Sequence, residues 1–187
     1  MSSTDHPPHH HSHNDGLCTC QDSFGVSQSL DELSFERGIW SAALNGEYER
    51  VKKLLKTTSV NELDTTGYTA LHYASRSGFL TVCSLLLDSG ADVNAKTRAG
   101  GSTSLHRSAY RGHLDVVKEL LKFKADPSNI DEDGRTPLHK AAEGGHRNIC
   151  EILLQIKPSL KAVTDKRGKQ AWHYASDPVL QDFLQEK

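Results

Sequence analysis

Four histidines recur at one phase, His72, His106, His139 and His173, at spacings of 34, 33 and 34 residues. Imidazole ligates metals and moves protons near neutral pH, so a recurring histidine invites both readings. A second concentration lies near the N-terminus, where His6, His9, His10, His11 and His13 precede Cys18 and Cys20. The recurrent set cannot serve one ion. A period of this length separates equivalent side chains by a packed helix, roughly 10 Å, whereas zinc ligands sit about 2.0–2.3 Å from the metal. The N-terminal set has the right residue types without the paired Cys-x-x-Cys or Cys/His spacing of a structural zinc module. It reads as a His-rich tail of weak metal affinity, and no metal site is expected. A metal-responsive protein that uses this His/Cys tail as its sensor stands as the alternative function.

Other chemistry is missing from the sequence. There is no phosphate-cradling Gly-rich loop ending in Gly-Lys-Ser/Thr, no His-Glu-x-x-His and no Gly-x-Ser-x-Gly. Gly100-Gly101 and Gly144-Gly145 follow no strand signal. Neither an enzyme nor a cofactor is expected. Lys and Arg total 22 against 24 Asp and Glu, a net charge of −2. That balance argues against a nucleic-acid partner, and no apolar run approaches the ~20 residues of a membrane span. The four scattered cysteines do not form a disulfide framework. Cys83 and Cys150 sit among apolar neighbours and read as buried free thiols. The expectation is an intracellular monomer, cytoplasmic with the nucleus as a second compartment.

The elements that position the histidines repeat with them. Residues 1–34 carry five acids (Asp5, Asp15, Asp22, Asp31, Glu32) and no Lys or Arg. Residues 1–23 have few large apolar groups and are expected to be disordered. Residues 24–34 form a lead-in expected to pack on the first helix. From residue 35 one unit returns: Gly67-Tyr-Thr-Ala-Leu-His72, Gly101-Ser-Thr-Ser-Leu-His106, Gly134-Arg-Thr-Pro-Leu-His139 and a weaker Gly168-Lys-Gln-Ala-Trp-His173. A degenerate copy precedes them, with Trp40 in the histidine position. Each Thr can cap a first helix. A glycine (Gly46, Gly78, Gly112, Gly145) can close it with φ > 0. Apolar residues at helical spacing then mark a second helix, as in Val116, Val117, Leu120 and Leu121. Gly100-Gly101 and Ile156-Lys157-Pro158 each add one residue where a stacked repeat tolerates it.

These units resemble the ankyrin repeat, a helix pair and projecting turn of about 33 residues. The resemblance covers residues 35–187 and includes Gly90-Ala-Asp-Val-Asn94. It implies an all-α ankyrin-repeat solenoid with a cap over 35–63, repeats over 64–96, 97–130 and 131–164, and a C-terminal cap over 165–187. It assigns His72, His106, His139 and His173 to bonds with neighbouring loop backbone. It also implies a non-catalytic protein–protein interaction module, an adaptor or scaffold that binds a protein partner through its concave loop and helix surface. Carried over position by position, that surface takes Tyr68 and Arg76 from one repeat, and Arg98, Arg107, Tyr110 and Arg111 from the next. The fourth unit supplies Glu132, Asp133, Arg135 and Glu143. Asn94, with Leu86 and Asp92, resembles the ankyrin segment modified by an asparaginyl hydroxylase, which makes it a modification candidate. The shortened C-terminal cap is expected to place Trp172 and His173 in a first helix. A second helix would start at Asp177-Pro178, with Val179, Leu180, Phe183 and Leu184 as its apolar residues.

Overall fold

The structure, a computed structural model, describes residues 30–185 and the side chains of residues 34–185. The tail expected to be disordered, with its histidines, Cys18 and Cys20, lies outside the described residues. Among the described residues every regular element is helical, so the fold is all-α.

Helix α1 (Leu30–Arg37) leads into the first pair, α2 (Ile39–Leu44) and α3 (Tyr48–Leu54). Three pairs follow: α4 (Ala70–Ser77) with α5 (Leu80–Asp88), α6 (Ser104–Arg111) with α7 (Leu114–Lys122), and α8 (Pro137–Glu143) with α9 (Arg147–Ile156). The chain closes with two 3-10 turns, Pro158–Ala162 and Ala171–Tyr174, and α10 (Pro178–Gln185). First helices stack on first helices (α2, α4, α6, α8), and second helices form a parallel outer row. The inner row packs closely because its inward positions are small: Ala42, Ala43, Ala74, Ser75, Ser108, Ala109, Ala141 and Ala142 are all buried. Leu71, Leu105 and Leu138 fill the space between the rows against Leu86, Leu120 and Leu153, and none of the six exposes any surface. Full burial of such a side chain stabilises by roughly 1.5–3 kcal/mol. No single unit can enclose its own core, so that stabilisation belongs to the stack. Phe35 of α1 seals the first end, stacked on Trp40 at 6.4 Å and edge-on to Tyr73 at 5.3 Å.

Three of the projecting turns are pinned by a buried aspartate. Asp64 Oδ1 accepts N–H bonds from Thr66 (2.9 Å) and Tyr68 (2.8 Å), and Asp131 and Asp165 repeat the pattern two units and three units on. The third unit carries Thr97 instead. Its backbone turn closes on Ser102, five residues away, where the others close at four. The additional glycine of Gly100-Gly101 is thus absorbed inside the turn. Neighbouring tips are tied by backbone bonds, Glu132 N–H to Gly100 O (3.0 Å) and Lys166 N–H to Asp133 O (2.9 Å).

The last unit departs from expectation in its first helix. Residues Ala171–Tyr174 make one 3-10 turn rather than an α-helix. Gln170 and His173 still form a capping box, but Ala175 turns extended at once and no α-helical turn is propagated. Pro178 does open α10, with Asp177 accepting the Val179 N–H at 3.2 Å. Leu180 and Leu184 are buried and Phe183 is half-buried, but Val179 is 58% exposed. It occupies the first turn, one position before the buried face that Leu180 and Leu184 define at i, i+4 spacing.

Gly112 shows how tightly the units fit. It closes α6 at φ +81°, and a Cβ there would lie 2.5 Å from the His146 ring of the next unit. Gly112→Ala combines a disfavoured backbone with an overlap against a packed ring, and is expected to cost about 2–3 kcal/mol. Urea unfolding of the full chain measures this. A loss under 0.5 kcal/mol, about a negligible surface effect, would contradict the junction described.

Candidate functional site

Three of the four phased histidines are structural staples. The Thr69 N–H donates to His72 Nδ1 at 3.2 Å, so the ring proton resides on Nε2. Nε2–H then donates across the junction to Ala95 O (3.0 Å) and Ser102 O (3.2 Å) of the next turn. His106 repeats this with Thr103 and Arg135 O (3.0 Å), and His139 with Thr136 and Lys169 O (3.1 Å). Each threonine and histidine together form a capping box, the ring taking the part usually played by Glu or Gln. Burial lowers the pKa of His72 and of His106 to about 4, and lowers that of His139. All three are neutral at pH 7. Trp40, in the same position of the first unit, does the equivalent job through Nε1–H to Glu62 O at 3.0 Å.

His173 does not. It is exposed, stacks on Trp172 at 3.5 Å, and its Nδ1 accepts the Gln170 N–H of its own turn. Among the described residues its ring bonds only within its own turn and reaches no carbonyl of another unit. His113 and His146 form a second row of staples. Their Nε2 atoms bond to Arg76 O and Tyr110 O, each at 3.0 Å, at the ends of the preceding first helices.

Burial pushes the Cys83 thiol up to about 11 and the Cys150 thiol up to about 12, so both are protonated at neutral pH and unsuited to metal or nucleophilic chemistry. Among the described residues, no group of three His, Cys, Asp or Glu side chains is placed to hold a metal ion. No described helix is long and apolar enough to cross a membrane.

The structure brings several of the candidate surface residues together. The Arg107 guanidinium lies 4.9 Å over the Tyr68 ring of the preceding repeat and donates to its hydroxyl. Tyr68 in turn contacts Tyr73 at 5.5 Å. Arg107, Tyr110 and Glu143 border one cleft of about 270 Å³ between α6 and α8, together with Ser102, His106 and Lys140. In the fourth unit Arg135 bonds to Glu143 (3.4 Å), lies 4.0 Å from Asp133, and stacks 4.6 Å over Tyr174. Tyr110 is 46% exposed, and Glu132, Arg76 and Arg111 are exposed. Arg76 and Arg111 sit in the last turns of α4 and α6, where a cation also complements the helix dipole. Arg98 stands at the third turn with its stem over Gly67.

Lys140 was not among the sequence candidates, yet it bridges Asp131 (3.5 Å) and Glu143 (3.6 Å) on the wall of the cleft. Its position immediately after the phased His139, equivalent to Arg107 after His106, is the signal that marks it.

A stack of helix pairs with projecting turns, stapled by histidine between units, defines a repeat scaffold. The ankyrin repeat family matches residues 35–97 and 105–178 in its three-copy form and 80–118 in its many-copy form; the chain belongs to this family. Ankyrin repeat domain-containing protein 39 of Homo sapiens is 55% identical over 86 residues, covering 44% of this chain and 47% of that protein. The protein of that name from Bos taurus is 58% identical over 67 residues, 34% of this chain and 37% of that protein. Palmitoyltransferase ZDHHC17 of Mus musculus is 32% identical over 129 residues, 68% of this chain and 20% of that protein. The matches thus span less than half the length of each of these curated relatives. Ankyrin repeats generally mediate protein–protein interaction.

Proposed function

We propose that the chain is a non-catalytic adaptor that binds a protein partner through the surface running over Tyr68, Arg107, Tyr110 and the ends of α4 and α6. One observation carries this reading. Three of the phased histidines and their threonines are consumed in holding units together, while Tyr110, Arg76 and Arg111 face solvent along the same stack. Tyr and Arg are the residue types most enriched among interface hot spots. In this reading the adaptor acts as a monomer in the cytoplasm or nucleus. Asn94 is proposed as a modification candidate, although its Oδ1 already accepts bonds from Asp126 N–H (2.9 Å) and Asn129 Nδ2 (3.1 Å). A hydroxylase would have to open that turn.

Proximity labelling with the full chain in cells supplies the partner. Tyr110→Ala with Arg111→Glu is then expected to weaken binding about 30-fold or more, the effect of losing an interface anchor, with little change in melting temperature. Lys118→Glu with Lys122→Glu, on exposed positions of α7, is expected to leave affinity nearly unchanged. The reverse pattern would move the binding surface to the outer helix row.

A further inference from the structure

In three units the turn aspartate meets the residue that follows the phased histidine. Asp64 accepts from the Tyr73 hydroxyl, Asp131 pairs with Lys140, and Asp165 accepts from the Tyr174 hydroxyl. The third unit breaks this rule. Thr97 replaces the aspartate, and Arg107 occupies the position of its partner. Thr97 Oγ1 is spent on its own turn, donating to Ala99 O (2.9 Å) and accepting the Ser102 N–H (3.1 Å). Arg107 therefore has no carboxylate partner among the described residues. Its guanidinium is held over Tyr68, and its Nε is buried without an acceptor.

The surrounding sequence sharpens the imbalance. No Asp or Glu occurs between Asp92 and Asp115, a stretch that holds Lys96, Arg98, Arg107 and Arg111. The next unit is compensated internally, because Lys140 and Arg135 share Glu143. The cleft of about 270 Å³ lies at this change of charge balance, with Arg107 and Tyr110 on one side and Lys140 and Glu143 on the other.

We propose that this cleft seats one carboxylate side chain, Asp or Glu, of the protein partner, with Arg107 as its counter-ion. The partner supplies the acid that the third repeat lacks. A guanidinium presents parallel N–H donors that match a carboxylate. Glu143 repels an acid on the far wall, which confines the carboxylate to the Arg107 and Tyr110 side. This inference rests on the reading of the surface as protein-binding.

The probe is a displayed library of random peptides selected on the full chain, followed by affinity measurement on synthetic peptides. Selected peptides are expected to share a fixed Asp or Glu. Changing that residue to its amide is expected to weaken binding about 30-fold or more, as for truncation of a hydrogen-bonded charge pair. Arg107→Gln is expected to weaken the acidic peptide by the same factor and to leave the amide peptide unaffected, a coupling that a merely structural arginine would not show. Thr97→Asp keeps Arg107 and installs the residue that the other three turns tolerate, and is expected to abolish the preference for acid. Selected peptides with no shared acid, or an acidic peptide indifferent to both substitutions, would overturn the carboxylate seat. If Tyr110→Ala with Arg111→Glu still removed binding in that case, the protein-binding surface itself would stand. Peptides bound undiminished by that double variant, or recovery of no binding peptide, would overturn both.

Discussion

Between pH 6.5 and 4.5 the repeat domain is expected to lose roughly 5 kcal/mol of stability and to approach unfolding before the turn aspartates Asp64 and Asp165 are neutralised. The effect originates in His72 and His106, whose pKa burial lowers from an ordinary 6.5 to about 4. In the unfolded chain both rings take up a proton as the pH falls through 6.5. In the folded chain they stay neutral until about pH 4. The unfolded state therefore binds more protons across this window, and stability present above pH 6.5 drains away as pH falls. Each ring contributes roughly 2–3 kcal/mol by pH 4.5, and His139, shifted in the same direction, adds to the loss. A domain stabilised by about 5–15 kcal/mol cannot absorb this easily. The carboxylates act lower on the scale. Burial opposes ionisation of Asp165, but bonds from the Tyr174 hydroxyl and from the N–H groups of Lys169 and Arg167 outweigh it and hold the pKa at about 2. Asp64 is lowered in the same manner, burial being outweighed by Tyr73, Tyr68 and Thr66. Their contribution is lost only below about pH 4. Urea unfolding at pH 7.0, 6.0, 5.0 and 4.5 separates the two groups. A midpoint that is flat above pH 4.5 would mean that the rings are already charged or already free in the native fold.

The architecture was legible because the physical demands repeat in register with the residues. A threonine three positions before a histidine, a glycine after the helix and an apolar i, i+3, i+4 stripe each have one local solution, and the same solution recurs in the three full repeats. Even Trp40 could be placed by register, since an indole N–H can reach the same carbonyl position as an imidazole N–H. His173 could not be judged this way. Its residue type satisfies the pattern, but its role depends on a carbonyl in the following turn. The surface was less legible than the fold. Position alone placed Arg107 and Arg135 on the groove, but not that Arg107 reaches back to Tyr68 or that Arg135 and Lys140 converge on Glu143. Those pairings depend on side-chain direction across a junction, which spacing within one unit does not encode. The missing aspartate at Thr97 is visible in the sequence, yet it acquires meaning only once Asp131 is seen to meet Lys140.

The same histidine position is expected to give opposite results in two units. His106→Ala should cost roughly 3–4 kcal/mol at pH 7. Truncation leaves a cavity beside Leu105, and it strands the Arg135 carbonyl and the Thr103 N–H in a buried junction. A lost buried group of this size and two unsatisfied polar atoms are each worth about 1–3 kcal/mol, only partly relieved by relaxation. His173→Ala should change stability by less than about 0.5 kcal/mol, because its ring is exposed and bridges to no other unit. The substitution at the junction also changes the pH dependence. His106→Ala removes one of the depressed groups, so the loss between pH 6.5 and 4.5 should shrink by about half even though the protein starts out weaker. Equal costs for the two substitutions would show that the histidine matters to its own turn alone. The observed contrast in bonding instead places its contribution in the junction, where stability of a solenoid is built from contacts between neighbours.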